Sequence, residues 1–156
     1  MKIAEALAER AELAKKLRGI RVRIESSARF HEGEEPLEDA TVLITEARAL
    51  LHRQAAIVSS VNRTNMMTEL ESGVTITAAL ARRDMLTQEI QLLSDSADKA
   101  GPSMDPYSRG RRRTELIEKT NIPVAELRRE ADALSKERRE LDTRIQQANW
   151  ATDLVV

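Results

Sequence analysis

The sequence predicts an all-α fold, an antiparallel bundle of about four long amphipathic helices with coiled-coil-like packing. Three observations point there. Ala, Glu, Lys, Leu and Arg supply just over half of the 156 residues, the composition of long or coiled helices. Apolar residues recur at spacings of three and four along most of the chain. Aromatic residues are limited to Phe30, Tyr107 and Trp150, so the core must be aliphatic and base-stacking platforms are unexpected. A chain of this length reads as a single domain, 1–156.

The first helix is expected over 2–29. Its stripe is Ile3, Ala6, Leu13, Leu17, Ile20 and Ile24, widened by Leu7 and Ala14. Arg10 takes one stripe position, with its stem along the seam and its head in water. Gly19 sits mid-helix at a cost of about 1 kcal/mol. The polar run His31-Glu32-Gly33-Glu34-Glu35-Pro36 then forms an exposed connector. A second helix over 38–66 carries the strongest stripe: Leu43, Ile44, Ala47, Leu50, Leu51, Ile57, Val58 and Val61. Two adjacent apolar positions per turn predict contact with more than one neighbour.

Turn chemistry at Ser72-Gly73 allows a short β-hairpin before the third helix, 77–100, for which Thr77 is the expected cap. Leu80, Leu86, Ile90, Leu93 and Ala97 form its buried face, and Gly101-Pro102 stops it. An irregular basic connector follows over 101–122, within which Thr114–Ile122 reads as a short strand or an extended arm, the strand being preferred. Pro123 opens the last helix, 123–150, where its missing amide is not needed. Its stripe is Leu127, Ala131, Leu134, Leu141, Ile145 and Ala148.

Charge and composition remove several classes of function. The 25 basic and 26 acidic side chains nearly cancel, so no overall field attracts nucleic acid or an anionic membrane. There is no Cys for a disulfide or thiolate metal site. Glu5, Glu9 and Arg10 interrupt the start where a secretory signal needs apolar residues, and no run approaches the roughly 18 apolar residues of a membrane span. The expected location is cytoplasmic.

No reactive constellation stands out, so no catalytic, cofactor or metal ligand residue is assigned. His31 and His52 lack metal-site spacing, and the acidic cluster around Glu34 lacks the ladder of a calcium loop. Five scattered glycines make neither a dinucleotide fingerprint nor a phosphate loop. Two features invite function. The arm of Tyr107, Arg109, Arg111, Arg112 and Arg113 has the chemistry to contact phosphates and stack a base, or to meet acidic residues of a neighbouring subunit. The helix ends around the run Asn62-Arg63-Thr64-Asn65 and around Asp142, Arg144, Asn149 and Trp150 could join Asn62, Arg63 and Asn65 to them in a polar network that fixes helix register, or line a ligand pocket.

At these residues the sequence resembles a family of uncharacterised bacterial helical proteins, some of which carry the name septicolysin. The matching stretches are Lys2 to Leu7, Val61 to Asn65, Arg83 to Leu86 and Glu140 to Trp150. The resemblance implies a helical domain of unknown function and transfers no catalytic residue; the name implies a membrane-active cytolysin. The run Gly110 to Arg113 looks unlike the shorter family pattern after Tyr107-Ser108. The function expected from the residues themselves is a non-enzymatic, self-associating helical scaffold or protein-interaction module, forming a homo-oligomer. An RNA-binding accessory protein and a small-ligand binder or enzyme are the alternatives.

Overall fold

A computed structural model describes residues 1–100 and 119–155. The chain is mostly α, with α1 (Ile3–Ser27), α2 (Ala40–Met67), α3 (Ile76–Ala100) and α4 (Val124–Ala151). A small antiparallel hairpin, β1 (Glu69–Glu71) and β2 (Val74–Thr75), lies between α2 and α3. Gly73 takes φ 79 at its turn, a conformation a side chain would strain. The Gly/Pro-rich connector, with Tyr107, Arg109, Arg111, Arg112 and Arg113, lies outside the described residues apart from 119–122.

Internal contacts divide the chain into two units, Met1–Thr77 with Gln146–Val156, and Ala78–Ile145. In the first, α1 and α2 run antiparallel. Ile3, Ala6, Leu13 and Ile20 bury against the face of α2 that carries Leu43, Ile57 and Val61. Asp39 starts α2 by accepting the amides of Thr41 at 2.8 Å and Val42 at 3.4 Å, satisfying donors the first turn leaves free. The chain ends close this unit through backbone groups. The Ile3 amide donates to the Thr152 carbonyl at 3.1 Å, and the Leu154 amide to the Met1 carbonyl at 2.8 Å.

In the second unit, three ion pairs link α3 and α4 in antiparallel order: Arg82 with Glu137 at 2.9 Å, Arg83 with Asp142 at 3.6 Å, and Arg128 with Asp98 at 3.3 Å. Leu86 and Ala97 of α3 and Ala131, Leu141 and Ile145 of α4 are buried.

One local expectation is corrected. Thr77 lies inside the first turn of α3 instead of capping it, because the hairpin delivers the chain directly into the helix at Ile76, whose amide donates to the Thr68 carbonyl at 2.9 Å. Of the expected Thr114–Ile122 strand, residues 114–118 lie outside the described residues; at its end the Ile122 amide donates to Thr120 Oγ1 at 3.1 Å.

Candidate functional site

The α1/α2 hairpin has two unlike borders. In a heptad written a to g, a and d form the seam while e and g flank it on opposite sides. The buried residues Ala6, Leu13 and Ile20 of α1 and Leu43, Ile57 and Thr64 of α2, with half-buried Leu50 between Leu43 and Ile57, fall on a seven-residue repeat. One border then carries Glu9, Lys16 and Arg23 from α1 with Glu46, Arg53 and Ser60 from α2. This border is closed by charge. Arg53 grips Glu9 with two donors, at 2.7 and 3.1 Å, and Arg23 grips Glu38 from the connector in the same two-pronged manner. Hydrogen bonding from these guanidinium groups holds the Glu9 and Glu38 carboxyls below their ordinary pKa and raises Arg23 and Arg53.

The other border carries Leu7, Ala14 and Arg21 from α1 with Ile44, Leu51 and Val58 from α2. Charged residues are usual at such positions in a water-facing coil, yet here five of the six are apolar. Leu51 remains 53% exposed and Ile44 40%. Along α2 this border opens into a shallow groove of about 580 Å³ lined by Leu51, Gln54, Ala55, Val58, Ser59 and Asn62. The second stripe of α2, read in the sequence as demanding a second neighbour, is this surface.

The polar residues singled out in the sequence are divided between the two units. In the first unit, Asn62 and Arg63 are exposed, Asn62 lining the groove. Asn65 is only 9% exposed, and its Oδ1 has no hydrogen-bond partner among the described residues. Asn149 is half-buried, and Trp150 is 66% exposed. In the second unit, Asp142 pairs with Arg83, a residue the sequence reading left out, while Arg144 is exposed.

Thr64, inside the predicted polar run but not among the candidate residues, organises its surroundings. It is fully buried, donates from Oγ1 to the Ser60 carbonyl at 2.8 Å and accepts the Val155 amide at 2.9 Å. Lys2 adds to the same closure, pairing with Asp153 at 2.9 Å and lowering its pKa through the hydrogen bond and its charge.

His31 and His52 are exposed, and among the described residues no three His, Asp or Glu side chains converge to hold a metal ion. Nor is any described helix long and apolar enough to cross a membrane.

Comparison with known proteins finds no match among curated ones. A functionally unknown conserved protein from Corynebacterium diphtheriae, solved by crystallography, is similar at 35% identity and a TM-score of 0.87, over 99% of each chain. Neither that description nor the matching family model carries the septicolysin name. The model, described as a family of unknown function, matches residues 10–154, and the chain belongs to that family, DUF6847.

Proposed function

We propose that this chain is a non-enzymatic helical scaffold that works by packing another helix against the open border of its first hairpin. The observation that carries the proposal is the contrast between the two borders: Glu9–Arg53 and Arg23–Glu38 close one, while exposed Ile44 and Leu51, with half-buried Val58, leave the other apolar and open. Burying such a stripe is worth about 25 cal/mol per Å² of apolar surface, a driving force for association that requires no reactive group.

Nuclear magnetic resonance tests it through the amides of Leu51, Ala55 and Val58, followed as protein concentration rises and as a helical peptide is added. Shifts centred on these residues, abolished by Leu51→Asp, are expected. Spectra unchanged under both conditions would remove the proposal. Self-association is the second reading, supported by the double stripe of α2. Light scattering coupled to size exclusion tests it, the expected result being an assembly that Leu51→Asp returns to the monomer.

A further inference from the structure

The charge around the open border selects among occupants. The outer residues beside it are Ala4, Ala11, Arg18 and Glu25 on α1 and Thr41, Arg48, Ala55 and Asn62 on α2. Among the residues of α1 and α2, Glu25 is the sole carboxylate on this side, and it is taken by Arg21 at 3.0 Å. The remaining acidic residues of the two helices, Glu5, Glu9, Glu12 and Glu46, occupy the other side. Arg18 and Arg48 have no ion-pair partner among the described residues. The register set by Glu9–Arg53 and Arg23–Glu38 places Arg18 level with Ile44 and Arg48 level with Ala14. These two arginines therefore flank the apolar strip from opposite helices, about one helical turn apart.

We propose that the occupant of this border is an amphipathic helix of another protein whose apolar stripe is edged by carboxylates, which Arg18 and Arg48 receive. The inference rests on the scaffold reading above and adds the chemistry of the partner. A guanidinium can grip a carboxylate with two parallel donors, so a pair of them supplies both attraction and register. A second copy of this border offers its own Arg18 and Arg48 and no free carboxylate, so packing two such borders together sets like charges against each other. An anionic membrane would also attract the arginines. The strip itself is aliphatic, however, and the exposed aromatics Phe30 and Trp150 lie elsewhere, in the connector and in α4, so the aromatic anchoring of interfacial helices is missing from it.

Two synthetic helical peptides about three heptads long, with the same Leu/Ala stripe but bordered by Glu in one and Lys in the other, test this by fluorescence anisotropy. The Glu-bordered peptide is expected to bind at least about tenfold more tightly, with an advantage that shrinks as salt rises. The double variant Arg18→Glu/Arg48→Glu should invert the preference, whereas Lys15→Glu, on the outward face of α1, should leave the preference for the Glu-bordered peptide in place. Far-UV circular dichroism of both variants checks that the helices persist. Equal binding of the two peptides overturns the charge inference while keeping the scaffold reading. Failure of both peptides in a protein that stays monomeric overturns both. Association between copies alone, or binding to anionic vesicles alone, overturns the proposed partner.

Discussion

Both units of the chain carry ion pairs, but only the first adds buried and backbone polar links between distant segments. In Met1–Thr77 with Gln146–Val156, distant segments meet through backbone amides and a buried hydroxyl, as at Ile3 with Thr152 and Val155 with Thr64. In Ala78–Ile145, the polar links between α3 and α4 are ion pairs between exposed side chains, laid over an aliphatic seam. The difference teaches where a polar group matters. A buried hydroxyl that loses its partners has no water to replace them, whereas an exposed ion pair exchanges its partner for solvent at little cost.

Substitutions should separate these contributions in order of size. Ile3→Ala and Leu86→Ala remove fully buried side chains from the first and second units, and each should lower stability by about 2–5 kcal/mol in urea unfolding. Similar values would show that the aliphatic seams are equivalent and that the units differ in their polar links. Thr64→Val keeps the volume but loses both hydrogen bonds of the hydroxyl, leaving the Val155 amide and the Ser60 carbonyl short of a partner. It should cost about 1–3 kcal/mol. Arg82→Ala, which breaks an ion pair with side chains 50% and 46% exposed, should cost no more than about 1 kcal/mol. A larger loss for Arg82→Ala than for Thr64→Val would break the comparison.

Acid titration sharpens the same contrast. Glu9, Glu38 and Asp153, all in the first unit, have pKa values lowered by Arg53, Arg23 and Lys2. A carboxylate depressed in the folded state adds stability above its unfolded pKa of about 4, and that stability is lost as pH falls through the lower folded value. Urea midpoints should therefore drop on acidification through that range. Lys2→Met and Arg53→Met should each make the drop shallower.

Much of the fold was legible because the apolar stripe of an amphipathic helix writes itself into local spacing. The stripes of α1 and α2 marked both helices, and every expected helix boundary falls within two residues of the observed one. The double stripe of α2 also announced a second apolar surface, and Leu7 and Ala14 marked its continuation on α1. What spacing alone did not show was that the charges split by border, because that follows from the register between two helices. Thr64 was hidden for a related reason. Its acceptor is one turn away, but its donor lies 91 residues downstream, and no local pattern encodes a partner at that separation. Thr77 had the chemistry of a cap, but the β-hairpin fixed the helix start first.

The long reach from Thr64 to Val155 also imposes an order on biosynthesis. At about 5–20 residues per second, the Val155 amide is made about 5–18 s after the hydroxyl that it meets across 91 residues. Helix–coil exchange and loop closure take microseconds or less, so α1 and α2 have time to pair long before the tail arrives. A hairpin that pairs before Val155 is made is an open clasp until Thr64 receives that amide. Ribosome-bound chains stalled before Thr152 should accordingly be cut by protease near Thr64 more readily than chains in which an added C-terminal linker carries Val155 clear of the ribosome.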